Sequence, residues 1–192
     1  MSTKKIWNPP PDLTVSEWSD RYRVLSAESS SEAGQWRTDR APYQKEIMDA
    51  ANDHRINTIV FMKSAQVGAT EILNNIVGYF IDQDPSPTLV LQPTLAMAQA
   101  WSKDRLANMI RDSERLRTKV KDPKSRDSGN TVLSKKFPGG NINIVGSNSP
   151  AGLASRPIRI LLCDEVDRYE TSAGAEGDPI RSEEHTSELQ SP

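Results

Sequence analysis

Cysteine is almost missing from this chain: Cys163 stands alone among 192 residues. A lone thiol excludes an intramolecular disulfide and a cysteine-only metal site. Its place within an apolar run predicts a buried, inert side chain, and the scarcity fits a reducing, cytoplasmic setting. Long hydrophobic runs are also lacking, and none approaches the roughly 20 residues that cross a bilayer. The polar start Met1–Lys5, followed by Trp7, Asn8 and three prolines, carries no signal-peptide pattern. An excess of positive charge is absent too. The formal charge is −2, so contact with nucleic acid would need a local patch rather than a global balance. No internal repeat is visible.

What is present suits one domain with a sizeable core. The final segment, Arg181–Pro192, has neither apolar periodicity nor turn chemistry, and it reads as one translated frame of a common sequencing-library adapter. We expect this segment, 181–192, to be a non-native tail and exclude it, with His185, from fold and site reasoning. Without its one arginine and three glutamates, the 24 basic and 26 acidic residues become 23 of each. The parent gene is then expected to run on beyond Ile180, leaving the domain incomplete at its C-terminus.

Along the chain, Asn8–Asp12 is extended because its prolines forbid helix. Thr14-Val15-Ser16-Glu17 is a capping box that predicts a helix to about Leu25. Residues 26–35 read as a loop and Tyr43–Asn52 as a helix. The β-branched run Ile56–Met62 predicts a buried strand, Thr70–Ile81 a helix, Thr88–Gln92 a second buried strand, and Leu95 to about Val120 one long helix. Residues 121–140 read as a loop with a short strand. Ile142–Val145 and Ile158–Cys163 are the last strands. Continuous apolar strands alternating with helices predict an α/β fold, a parallel sheet flanked by helices.

Two segments carry chemistry. Lys63-Ser64-Ala65-Gln66-Val67-Gly68-Ala69-Thr70 joins a predicted strand to a predicted helix, where helix amides converge on an anion. Gly68 admits close backbone approach and Thr70 offers a hydroxyl for Mg²⁺. The usual phosphate-loop pattern has glycine first and lysine before the Ser/Thr; here Lys63 and Ala69 hold those places. A plain strand-loop-helix remains an alternative from these residues alone. The second segment, Ile158–Cys163 followed by Asp164-Glu165, is a Walker B arrangement: one carboxylate for Mg²⁺ and one to polarise water. A strand running into an acidic loop is the bland alternative.

Taken with Gln35–Asp49, Thr94–Trp101, Gly146–Arg156 and Asp164–Tyr169, these segments resemble the large terminase subunits of bacteriophages similar to lambda. The resemblance covers nearly all of Trp7–Ile180. In that family the phosphate loop begins with lysine and lacks the lysine before the Ser/Thr, so the odd loop is the family's own variant. The resemblance implies a P-loop ATPase of the RecA-like, ASCE type, with ATP and Mg²⁺ as cofactors. It divides the chain into an N-terminal arm and helix, 1–35, and an incomplete ATPase domain, 36–180.

Residue by residue, it implies that Lys63 reaches the β/γ-phosphates from the far end of the loop and that Ser64, Ala65, Gln66, Val67, Gly68 and Ala69 line the phosphates. Thr70 and Asp164 would hold Mg²⁺, and Glu165 would orient the attacking water. Tyr43 and Gln44 would flank adenine, Gln44 by paired hydrogen bonds, although an ordinary helix start is the alternative. Gln66 stands where some relatives carry arginine. Arg156 would sense the γ-phosphate or touch DNA, or form a structural ion pair.

The implied function is ATP hydrolysis driving double-stranded DNA into a procapsid in the host bacterial cytoplasm. Implied partners are DNA, the small terminase subunit, the portal, and further copies in a ring, with no membrane. A nuclease domain is implied for the parent protein and lies outside this chain, and the fragment alone is not expected to turn over ATP. Trp101–Asp127 holds nine Lys/Arg against five Asp/Glu, so Lys103, Arg105, Arg111, Arg115, Arg117, Lys119 and Lys121 either contact DNA phosphates or form a solvated face. Trp7 and Trp18 either anchor the small subunit or pack on the domain. Two rivals stand beside this reading: a superfamily 2 translocase, against which Ala69 argues, and a degenerate ATPase fold acting only as a docking module.

Overall fold

A computed structural model describes residues 11–28, 30, 32–64, 67–121, 129–148 and 157–169. Trp7, Ala65, Gln66, Arg156 and the tail 181–192 lie outside them.

Helix α1, Val15–Tyr22, starts where the capping box predicts. The Thr14 hydroxyl accepts from Glu17 N at 3.3 Å, and Thr14 N donates to Glu17 Oε2 at 2.9 Å. Extended Arg23 stops the helix. The chain then forms a small antiparallel ladder of β1, Val24–Leu25, where the helix is expected to run on, and β2, Gly34–Gln35, at the end of the predicted loop. Helices α2, Tyr43–Ala50, and α3, Ala69–Asp82, follow. Helix α3 is buried almost all round, as expected of a helix apolar on most faces. The outer edge of the Trp18 indole packs against it: a Cβ at Gly78 would sit 2.3 Å from the indole Cη2, so the close approach requires glycine.

The main sheet has the order β4-β5-β3-β6: Ser134–Phe137, Gly140–Gly146, Pro87–Gln92 and Ile160–Cys163. Strands β5, β3 and β6 are mutually parallel, whereas β4 pairs antiparallel with β5. The sheet is therefore mixed, a correction to the all-parallel expectation. The tight β4–β5 turn permits only an antiparallel return, and β4 lies within residues 121–140, where a short strand is expected. Side chains alternate across β3. Val90 joins Ile142 and Ile144 in the large core with the helices; Leu89 and Leu91 join Val145, Leu161 and Cys163 on the other face.

Three further expectations need correction. Ile56–Met62 is extended but joins no ladder, and it is exposed: Val60 is 88% and Met62 96% accessible. Only Phe61 leans on the core. Composition marks a segment fit for burial in a sheet, but the burial itself comes from neighbouring strands, and among the described residues β6 pairs only with β3. Second, the long helix is segmented. Helix α4, Leu95–Ala100, runs into a π-helical stretch, Trp101–Leu106, then α5, Ala107–Asp112. The wider π turn brings Trp101 and Leu106, five apart, to one buried face. At Ser113 the backbone turns extended (φ −95°, ψ 109°) before α6, Glu114–Lys119, and the Ser113 hydroxyl accepts from Val24 N at 3.1 Å. Third, Cys163 is only half-buried.

Among the described residues no helix is long and apolar enough to cross a membrane.

Candidate active site

Parallel strands β3, β5 and β6 end together, and ligands in such sheets bind at that edge. Asp164 follows β6 directly. Its N–H donates to Leu91 O at 3.1 Å, which extends the ladder by one bond and fixes the side chain, 6% exposed, on the α3 side. The Thr70 hydroxyl, in the first turn of α3, donates to Asp164 Oδ2 across 3.5 Å, and Lys63 Nζ lies 4.0 Å from Asp164 Oδ1. A buried carboxylate needs such company. The two ends of the Lys63–Thr70 loop thus meet one acid from the other side of the sheet edge.

The loop is anchored from α2. Val67 O accepts from Tyr43 Oη at 2.9 Å and from Gln44 Nε2 at 3.0 Å. Gly68 then caps α3 in the left-handed region (φ 76°), and a Cβ there would come within 2.6 Å of Gln44 Nε2. Glycine is needed twice over, for the backbone and for the space. The amides of Ala69 and Thr70 stand at the N-terminus of a fourteen-residue helix, an anion site by its dipole and its free N–H groups. Gln44 is buried, and its Oε1 has no hydrogen-bond partner among the described residues. The amide nitrogen donates to Val67 O at 3.0 Å and, more weakly, to Tyr43 Oη at 3.5 Å, so the carbonyl oxygen is the side-chain atom left without a partner among the described residues.

Glu165 is the only non-glycine residue with positive φ among the described residues (φ 51°, ψ 48°). Its Oε2 lies 2.9 Å from Arg168 Nη1, within the 3₁₀ turn Val166–Arg168. Tyr169 closes that turn by donating to Leu91 O at 3.0 Å. Burial, then the proximity of Cys163 and Asp164, push its phenol far above the ordinary range, so it stays a donor. Neither Arg168 nor Tyr169 was assigned a role from sequence; their position after the acid pair was the available signal.

No three His, Cys, Asp or Glu side chains gather as a metal cage among the described residues. Thr70 with Asp164 is an oxygen pair of the kind that holds Mg²⁺ together with substrate phosphates. The orphan Gln44 Oε1, the Gly68 cradle and the oxygen donor set all fit a nucleotide with Mg²⁺.

The basic stretch is largely committed within the fold. Arg105 faces Glu71 at 3.6 Å, Arg111 pairs with Asp112 at 2.7 Å and Glu28 at 3.2 Å, and Arg115 and Lys119 bind buried Asp82 at 3.1 and 2.8 Å. Lys103, Arg117 and Lys121 are exposed. Trp18 is fully buried and donates to Asp82 Oδ2 at 2.9 Å, which places it in the core rather than on a docking face.

Residues 30–185 match the family "Phage terminase large subunit gpA, ATPase domain". Two curated relatives are the terminase large subunits of Enterobacteria phage P21, 28% identical over 171 residues, and Escherichia phage lambda, 27% identical over 177. These alignments cover 88% and 92% of this chain but only 26% and 27% of the relatives, so the chain spans about a quarter of their length. No solved structure matches. The chain belongs to the phage terminase large subunit gpA family, and the region it shares with that family is the ATPase domain.

Proposed function

We propose that this domain binds ATP with Mg²⁺ on a P-loop fold of the RecA-like, ASCE type, and that its parent protein hydrolyses the bound ATP to drive double-stranded DNA into a procapsid. The observation that carries the reading is the convergence of Lys63 and Thr70 on Asp164, at 4.0 and 3.5 Å. Those groups stand close enough to act on one triphosphate.

Thr70 and Asp164 would hold the metal ion, whose charge offsets that of the phosphates. Lys63 approaches from the opposite end of the loop and supplies a compact positive charge where negative charge develops. The family resemblance assigns Ser64, Ala65, Gln66, Val67, Gly68 and Ala69 to the phosphates, and the α3 N-terminus would add its N–H groups. Glu165 orients the water for in-line attack: a bond forms from water oxygen to the γ-phosphorus as the β–γ bridging bond breaks, and the carboxylate takes the water's proton. Gln44 Oε1 would accept from the base's exocyclic amine, with Tyr43 beside it. Arg156 is a candidate γ-phosphate sensor.

The partner reading goes with the family: DNA, a small terminase subunit, a portal and a ring of copies, in the host cytoplasm, with the nuclease on another part of the parent. Residues 36–180 are assigned to the ATPase domain, 1–35 to the arm, and 181–192 to a non-native tail.

Titration of the chain with ATP and Mg²⁺ tests the pocket. In a full-length parent, Lys63→Ala should cut hydrolysis by about a hundredfold or more. Hydrolysis at the wild-type rate would discard the role given to Lys63.

A further inference from the structure

Gln92 ends β3, one strand away from Asp164. The register pairs Leu91 with Cys163, so the next position on each strand sets Gln92 beside Asp164. The Asp164 N–H bond to Leu91 O continues that alignment past the strand end. Alternation settles the direction. Leu89 and Leu91 face the small core with Leu161 and Cys163, while Val90 faces the helices, as do Ile160 and Leu162. Gln92 and Asp164 both follow the second set, and the Thr70 contact places Asp164 on that face.

Gln92 is 3% exposed, and its Nε2 has no hydrogen-bond partner among the described residues. Its neighbours at the same edge are engaged. The Ser147 hydroxyl donates to Pro93 O at 2.9 Å, Ser147 N donates to Gln92 O at 2.8 Å, and the Thr94 hydroxyl accepts from Met97 N at 3.2 Å. A buried amide N–H₂ left open is costly, and a leucine in its place would continue the apolar strand without that cost. Alternation puts this donor at the sheet edge beside Asp164, the acid that Thr70 and Lys63 approach, and a ligand oxygen bound there would give it a partner.

We propose that Gln92 is a further wall of the nucleotide site, its amide N–H donating to the terminal phosphate of bound ATP and so distinguishing ATP from ADP. The proposal rests on the nucleotide reading given above. Gln92 donates no charge and takes no proton; its contribution is selective binding of the triphosphate state.

The test titrates the whole chain, wild type and Gln92→Leu, with ATP and with ADP, each with Mg²⁺, and records the melting temperature without nucleotide. The expected result is a roughly tenfold loss of ATP affinity, an unchanged ADP affinity, and a melting temperature that does not fall. Equal losses for both nucleotides, or a lowered melting temperature with the ATP-to-ADP preference intact, would overturn the proposal and leave a structural role. Where Gln92→Leu fails to fold, Gln92→Glu keeps the size and reverses the donor; it should weaken ATP more than ADP, and equal weakening overturns the idea. Wild-type protein that binds neither nucleotide would sink the nucleotide reading itself, an outcome distinct from wild type binding both with an unaltered preference in the variant.

Discussion

The two ends of α3 treat polar groups in opposite ways. At its C-terminus, Asp82 is fully buried and surrounded: Trp18 donates to it at 2.9 Å, Arg115 at 3.1 Å, and Lys119 stands 2.8 Å away while also donating to Asp82 O at 2.6 Å. A carboxylate at a helix C-terminus opposes the helix dipole, and two cations reverse that penalty. At the N-terminus, Gln44 Oε1 and, across the edge, Gln92 Nε2 have no hydrogen-bond partner among the described residues, and the first α3 amides have none within the helix. One end is neutralised by the chain's own cations, with Asp82 Oδ1 meeting Lys119 as an ion pair, and it holds the fold together. The other is satisfied only in part, as a site that receives a charged ligand must be.

The comparison predicts that substitutions at the closed end lower stability and spare nucleotide affinity, while those at the open end do the reverse. The largest effect is expected from Trp18→Ala, which empties a fully buried indole site and should cost about 3–5 kcal/mol in denaturant unfolding. Asp82→Asn should cost about 2 kcal/mol, since Arg115 and Lys119 are partly exposed and can turn to water. Its pH dependence sharpens the point. Burial alone would raise the Asp82 carboxyl, but hydrogen bonds from Lys119, Trp18, Gln83 and Arg115 together hold it below the ordinary 3.8. A depressed folded-state value means the stabilisation is complete above about pH 4 and fades as pH falls through the folded-state value. The melting-temperature gap between wild type and Asp82→Asn should therefore narrow below pH 4; a constant gap would break the assignment.

Gly68→Ala places a side chain at φ 76° and against Gln44. It should cost about 1 kcal/mol of stability yet weaken ATP binding at least tenfold by displacing the loop; unaltered ATP affinity would erase the contrast. The smallest change is expected from Thr14→Ala, about 0.5–1 kcal/mol by thermal unfolding, from loss of half a capping box.

Much of this contrast was legible in the residues. The capping box, the apolar strands β3, β5 and β6, and the acid pair after β6 are local patterns, and local patterns survive translation into structure. The Lys63–Asp164 approach was implied by the family resemblance, and the geometry places the pair 4.0 Å apart. What could not be read was relational. Ile56–Met62 has the composition of a buried strand, but burial depends on which strand lies alongside. A short strand is expected within residues 121–140, but not its antiparallel pairing at the sheet edge, where lysine is tolerated and Lys135 donates to Thr131 O. The basic run from Lys103 to Lys121 leaves DNA contact and a solvated face open as alternatives, because charge patterning carries no record of the acids that pair with it, Glu28, Glu71 and Asp82. Gln92 reads simply as the polar end of a strand; only the register and the absence of a partner give it meaning.

Glu165 sits in a left-handed conformation that a glycine would adopt freely. Such a backbone costs of order 1–3 kcal/mol, and the gain is in aim: the direction of the carboxylate is set by the main chain. A small rotation of the 166–168 turn would swing that carboxylate through an arc without any change of rotamer. The pointing of the acid is in this sense a property of the peptide hinge beneath it, open to any force that reaches the turn.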